Sequence, residues 1–306
     1  MDAQLVGPEI ARRFVELDGR RVSYLTAGDS AAPAILLIHG SGVSAGYWVN
    51  QLRGLLESFR VAAIDLPGHG ESDPIPQASV EEYAETVARF LEALGTGPVL
   101  VVGHSLGGAV AIALAARRPD AVRGLVLLAS CAKLSWVESA RERLLPYLPG
   151  ALWKILFLST ARKLLFAPGV PSHTVGLGMQ ELRSCRAETM LKDLRAAKAM
   201  DLTRQATGLD VPTLILCGSQ DRLTPPALSA ELRELIPRSR LRIIDGAGHM
   251  LLLEEPARVN QEILSFAKSL TVRVPSLRIV RSRPGRSLAR RLLDLARAYV
   301  LFLTSQ

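Results

Sequence analysis

Ser105 stands in Gly103-His104-Ser105-Leu106-Gly107, a G-x-S-x-G run between the apolar stretch Val99–Val102 and the Ala- and Leu-rich stretch Leu106–Arg118. A serine on a sharp strand-to-helix turn presents its hydroxyl at the end of the strand. The cramped backbone of such a turn demands small residues two places before and two places after the serine. Gly103 and Gly107 meet that demand, and Gly108 and Ala109 let the helix run close to its strand. The chemistry suited to this arrangement is nucleophilic attack. A serine hydroxyl attacks poorly unless a base takes its proton.

His249 is the candidate base. It follows the last apolar run, in Asp245-Gly246-Ala247-Gly248-His249, and a glycine-rich loop can carry an imidazole over a sheet edge. Four other histidines compete. His104 adjoins Ser105, and its side chain is expected to point away. His39 and His69 lie in Gly-flanked loops and read as structural hydrogen-bonders. His173 reads as a surface residue with a pocket role as the alternative. An imidazole base needs an acid to hold its tautomer and stabilise its cation. Asp221, in Gly218-Ser219-Gln220-Asp221, follows the apolar run Thr213–Cys217 and is the candidate acid. Asp245 sits too close to its own strand end, and Glu254 reads as part of a helix start. A developing oxyanion needs two N–H donors aimed at one point. Leu106 N–H supplies one, and Ser41 N–H from His39-Gly40-Ser41-Gly42 the other, with Gly42 as the fallback. That glycine-rich loop also suits a phosphate, but the chain has neither G-x-x-x-x-G-K-[ST] nor G-x-G-x-x-G.

These residues need a scaffold that brings distant loops together. Phe14–Leu17 and Val22–Thr26 flank an Asp18-Gly19 turn signal and read as a strand pair. Short, largely apolar runs follow at Ala34–Ile38, Val61–Asp65, Val99–Gly103, Leu125–Ala129, Thr213–Cys217 and Leu241–Ile244, with Asp65 ending the second and Arg242 inside the last. Runs that are apolar at every position suit strands buried on both faces of a parallel sheet. Helical patterns fall between them at Tyr47–Glu57, Val80–Leu94, Leu106–Arg118, Pro226–Ile236 and Pro256–Leu270, with Ser79 as an N-cap before the second. The alternation breaks over 132–205, which shows only amphipathic stretches and Pro/Gly punctuation. The expectation is an α/β fold: a mostly parallel twisted sheet of about eight strands flanked by helices. Residues 1–131 and 206–270 form its core, 132–205 a helical cap, and 271–306 a basic extension.

With these residues in place, the chain resembles the α/β-hydrolase superfamily, in its serine esterase/lipase and meta-cleavage-product hydrolase-like branch. The matching pieces are LLIHGSG at 36–42, DLPGHGESD at 65–73, VGHSLGG at 102–108, PTLILCGSQDRLTP at 212–225 and DGAGHMLLLEEPARVN at 245–260. They span residues 12–270, and only the insertion matches loosely. The resemblance implies a triad of Ser105, Asp221 and His249, and oxyanion donors at Ser41 and Leu106. It implies acyl chemistry rather than the aspartate-based chemistry of the epoxide hydrolases and dehalogenases in the superfamily. It implies neither a metal nor an organic cofactor.

Composition sets the outer bounds. The 306 residues are 48% hydrophobic, enough for a large core, and no run approaches the length of a membrane-spanning helix. The N-terminus lacks the basic and apolar regions of a secretory signal. Cys131, Cys185 and Cys217 show no paired spacing, so disulfides are not expected and a cytoplasmic setting is. The net charge is +8, but the basic surplus lies in 132–205 and in 271–306, where eight arginines face only Asp294. The rest is net acidic, which argues against nucleic-acid binding.

The cap residues Trp136, Trp153 and His173, with Gly42, are the candidate substrate contacts, and a small, mainly apolar ester is the expected substrate. Leu152–Phe166 and the amphipathic pattern from Ser287 to Phe302 each carry basic residues. Either could rest on an anionic membrane surface, while the tail helix could instead dock on the core or join two protomers. The competing activities are carbon–carbon bond hydrolysis, acyl transfer or perhydrolysis on the same triad, and a small-molecule receptor that turns over little.

Overall fold

The computed structural model describes residues 9–134 and 149–271. The chain begins with a hairpin of β1 (Ala11–Leu17) and β2 (Arg20–Ala27). Asp18 and Gly19 both adopt left-handed backbone, with φ of 51° and 72°. That is what a two-residue hairpin turn needs to match the twist of its strands. The remaining strands are β3 (Ala34–Ile38), β4 (Arg60–Ile64), β5 (Val99–His104), β6 (Val122–Leu128), β7 (Thr213–Gly218) and β8 (Ser239–Ile244). They form one eight-stranded sheet in the order β1-β2-β4-β3-β5-β6-β7-β8. Only the pairings of β1 with β2 and β2 with β4 are antiparallel.

Successive side chains of the central strands enter different cores. Ile35, Leu37, Val102, Val126 and Leu214 pack on one face with α1 (Val49–Leu55) and α10 (Pro256–Thr271). Leu36, Ile38, Val101, Leu125 and Ile215 pack on the other with α2 (Val80–Leu94), α3 (Leu106–Arg117) and α8 (Pro226–Leu235). Both faces are covered, so the strands are apolar throughout, and each such side chain contributes roughly 1.5–3 kcal/mol of transfer free energy. The terminal strand β8 departs from the expectation of full burial. It lies at the sheet edge, alternates between covered and exposed positions, and leaves Ile243 51% exposed. Helix α2 begins where the sequence places it: Ser79 Oγ accepts from Glu82 N–H, and Gly95 closes the helix in the left-handed region.

After β6 the chain leaves the sheet and returns beside its point of departure. Lys133 bridges Asp201, and Leu202 N–H donates to Ala132 O at 2.9 Å. Between them lie α4 (Gly150–Leu165), α5 (Ser172–Ser184) and α6 (Ala187–Ala199), and the short α7 (Thr203–Thr207) leads back to β7. Helix α9 (Leu251–Glu254) precedes α10. Trp136 and the basic extension with its amphipathic pattern lie outside the described residues. Among the described residues no helix is long and apolar enough to cross a membrane.

The strand order reverses at β3, whose neighbours are β4 on one side and β5 on the other. In sheets of this kind ligands bind beyond the carboxyl ends of the strands at such a reversal. The loop after β3 and the turn after β5 meet there.

Candidate active site

Ser105 occupies the turn between β5 and α3 with φ 53° and ψ −120°, a conformation that costs an L-residue free energy and persists only under constraint. The constraint comes from its neighbours. Ser105 N–H donates to Leu128 O at 2.9 Å, and Ser130 Oγ donates to Ser105 O at 2.9 Å. The glycines are required by close approach. A Cβ on Gly103 would sit 2.3 Å from Gly107 O, one on Gly107 2.3 Å from Ile38 O, and one on Gly108 2.5 Å from Ser130 Cβ. Leu106 N–H opens α3 and has no acceptor within the helix, so it is available to an oxyanion.

Asp221 and His249 come together at the ends of β7 and β8. His249 Nδ1 lies 2.9 Å from Asp221 Oδ2, with both side chains buried. Asp221 Oδ1 accepts Leu223 N–H at 2.9 Å and Thr224 N–H at 2.8 Å, and Oδ2 also accepts the Thr224 hydroxyl at 2.8 Å. Burial alone would raise the Asp221 carboxyl. The His249 charge and hydrogen bond, with the Thr224 donors, outweigh it and hold the group below its ordinary value. A carboxylate that can only accept fixes the proton of His249 on Nδ1 and leaves Nε2 as the basic nitrogen. Among the described residues no hydrogen bond joins Ser105 Oγ to His249, and both side chains line one cavity. Bonds of this kind often tighten only when substrate binds.

The loop that carries His249 is tied down at several points. Gly248 N–H and Ala167 N–H both donate to Glu254 Oε2, at 2.9 and 3.2 Å, and Met250 N–H donates to Leu165 O. Burial holds the Glu254 carboxyl above its ordinary value although these amides pull the other way. Glu254 thus closes a loop, where the sequence suggested only a helix start. His104 also departs from expectation. Its ring faces the same cavity, packs 4.9 Å from the His249 ring, and places Nε2 3.0 Å from His249 O. Burial, and then the neighbouring His249, push its pKa down to about 3, so it is a neutral donor to that carbonyl.

The loop after β3 faces Ser105. His39 Nε2 accepts Leu66 N–H at 3.0 Å, which places its proton on Nδ1, 2.8 Å from Gly40 O. Ser41 lines the cavity. Gly42 does not. Its N–H donates to Asp193 Oδ2 at 3.3 Å, and its left-handed backbone packs beneath Leu182 and Met190. Gly42 is therefore a support of the loop and not a substrate contact, and its N–H is already committed to a carboxylate.

The cavity measures about 330 Å³ and is walled by Val43, Leu134, Trp153, Phe157, Leu194 and Met250, among other apolar side chains. Trp153 stacks on Phe157, with ring centroids 5.2 Å apart. His173 is exposed at the start of α5 and takes no part in the wall, which corrects its assignment as a substrate contact. Its type attracted attention, but its place on the helix faces water. Two participants escaped the sequence reading. Thr224 carries a faint signal, a hydroxyl three residues after Asp221 ahead of Pro225. Asp193 carries none, because its partners lie more than a hundred residues away.

A hydroxyl at a constrained elbow, an imidazole with one nitrogen locked by a carboxylate, and backbone donors at a helix start together suit base-assisted acyl transfer. The model of the Alpha/beta hydrolase family matches residues 35–262. A pimeloyl-[acyl-carrier protein] methyl ester esterase of Neisseria meningitidis is 32% identical over 228 residues, covering 72% of this chain and 87% of the relative. A thermophilic esterase from Thermogutta terrifontis superposes with a TM-score of 0.77 at 27% identity, over 85% of this chain and 99% of the other. A second thermophilic esterase structure gives 0.72 at 33% identity, over 86% and 99%. The chain belongs to the alpha/beta hydrolase family and is a hydrolytic enzyme.

Proposed function

We propose that this chain hydrolyses carboxylic esters of small, mainly apolar acyl groups through Ser105, His249 and Asp221. The observation that carries the reading is the 2.9 Å bond from His249 Nδ1 to Asp221, in the wall of the apolar cavity that Ser105 also lines. His249 Nε2 takes the Ser105 proton as Oγ attacks the ester carbonyl. The tetrahedral oxyanion is held by Leu106 N–H and Ser41 N–H. Collapse expels the alcohol, protonated by His249, and leaves an acyl-Ser105. Water activated by His249 then releases the acid and restores the serine. Asp221 keeps the imidazole in the right tautomer and offsets its charge while it is protonated.

The relatives whose names specify esterases support an ester substrate. Carbon–carbon hydrolysis of an anionic ring-cleavage product is the less favoured reading. It needs a cation at the site, and no Lys or Arg lines the cavity among the described residues.

Turnover of p-nitrophenyl esters from acetate to decanoate tests the proposal. Ser105→Ala should lower kcat by about 10⁴-fold or more. A fluorophosphonate should add to Ser105 Oγ with loss of fluoride, and mass spectrometry should place the adduct there. Ester turnover that survives Ser105→Ala, or an adduct on another residue, would overturn it.

A further inference from the structure

Asp193 is a fully buried carboxylate on α6, a helix of the inserted segment, yet its partners all belong to the sheet domain. Oδ2 accepts from His69 Nε2 at 2.9 Å and from Gly42 N–H at 3.3 Å, and Oδ1 accepts the Tyr83 hydroxyl at 2.8 Å. The Ser41 side chain adds to the stabilisation of the same carboxylate. His69 Nδ1 faces Pro67 O at 3.3 Å. Both neighbours of the His69 ring are pure acceptors, so both nitrogens carry protons and the pair is ionic. The ion pair places no net charge beside the loop after β3.

We propose that Asp193 is a positioning residue for the oxyanion hole, so that the hole is complete only while α6 is seated on the sheet domain. The reasoning follows from peptide planarity. Ser41 N–H shares a plane with Gly40 C=O and points opposite to it, and that carbonyl is held by His39 Nδ1 at 2.8 Å. The next plane holds Ser41 C=O and Gly42 N–H, and Asp193 Oδ2 grips it through that N–H. With one plane gripped from the sheet domain and the next from α6, the dihedrals at Ser41 have little freedom. Ser41 N–H is then aimed in advance of the reaction, which is what makes such donors effective. Gly42 reinforces the coupling. Its φ is +74°, and a Cβ there would lie 3.0 Å from Leu182 Cδ2 and 3.2 Å from Met190 Cε, so α5 and α6 press directly on the turn.

This inference rests on the assignment of Ser105 as nucleophile, and the test separates the two. Steady-state kinetics on p-nitrophenyl acetate and inhibition by an aryl trifluoromethyl ketone are measured for the full chain and for Asp193→Ala, Asp193→Asn and Tyr83→Phe. Asp193→Ala should lower kcat about 30-fold with KM within about threefold, and should weaken the ketone in proportion, because the lost interaction exists only with a tetrahedral oxyanion. Asp193→Asn keeps an oxygen for Gly42 N–H and should stay within about threefold of the parent kcat. Tyr83→Phe removes a bond to the same carboxylate without touching the loop. It should lower the unfolding midpoint and leave kcat unchanged. Should the alanine variant not fold, Asp193→Leu, similar in volume and without an acceptor, replaces it, and the asparagine variant is informative in either case. Three results overturn the proposal: a folded alanine or leucine variant with kcat within twofold of the parent, a loss confined to KM, or an asparagine variant as impaired as the alanine one. If Ser105→Ala still hydrolyses the ester, the assignment of the nucleophile fails first.

Discussion

The chemistry of this protein depends on single atoms that have no room to be elsewhere. Ser105 is held with φ 53° because Gly103, Gly107 and Gly108 allow backbone to pass where any side chain would collide. Gly103→Ala would drive a methyl to within 2.3 Å of Gly107 O, against backbone that cannot swing aside. The expected cost is about 1–3 kcal/mol of stability, as for other overpacked sites, with loss of ester turnover in whatever remains folded. Urea unfolding with parallel activity measurements checks it, and a fully active, equally stable variant would contradict the steric account. Thr224 shows the same economy. One hydroxyl meets Asp221 Oδ2, His249 Nδ1 and Ala129 O, within 2.8 to 3.1 Å. It ties Asp221 and His249 to the end of β6.

At the scale of elements, the sheet supplies rigidity and α4 supplies much of the cavity wall. Helix α4 turns Trp153, Phe157 and Leu164 toward the cavity, while Leu152, at 45% exposure, and Ile155, at 65%, face outward. The Trp153 indole is one of the largest groups in the wall, so its removal enlarges the cavity without touching the reacting atoms. Trp153→Ala should raise the ratio of kcat/KM for decanoate over acetate about tenfold, since one methylene in an apolar pocket is worth a factor of that order or more. It should also cost about 3 kcal/mol of stability, because the residue is 7% exposed and stacked on Phe157. Chain-length profiles of parent and variant decide the matter, and an unchanged ratio would remove Trp153 from the acyl site.

For the molecule as a whole, the buried His69–Asp193 pair links the inserted helices to the sheet domain, and its charge state makes that link depend on pH. Burial disfavours the His69 cation, but the Asp193 charge and hydrogen bond outweigh it and raise the group above its ordinary value. Asp193 is lowered despite its burial, first by the His69 charge and then by its hydrogen bonds. A histidine raised on folding contributes stability fully below about pH 6.5, and loses that contribution as pH rises through the folded value. A carboxylate lowered on folding contributes above about pH 3.9 and loses its share as pH falls through the folded value. Across the alkaline side, from about pH 6.5 upward, the parent's urea midpoint should fall as His69 gives up its proton, and His69→Gln should lack that decline. A parent midpoint that climbs through this window would contradict the ionic pair.

Much of this was written locally along the chain. Continuous apolar runs named the buried strands, Asp18-Gly19 named the hairpin, and Gly103 to Gly107 named the elbow, since each is a short-range demand on backbone shape or burial that neighbouring residues meet by themselves. Asp221 and His249 were legible for a related reason: each directly follows a strand, and a parallel sheet delivers all its strand ends to one edge. What only the tertiary structure decided was long-range. His104 lies beside Ser105 in sequence yet serves the His249 carbonyl 145 residues away, and Asp193 grips a loop 151 residues upstream. His173, a plausible contact by type, was turned to solvent by the rotation of its helix. Local pattern constrains which backbone a segment adopts. Which buried donor meets which acceptor depends on how separate segments pack, and one residue's rotation about a helix axis is enough to change the partner.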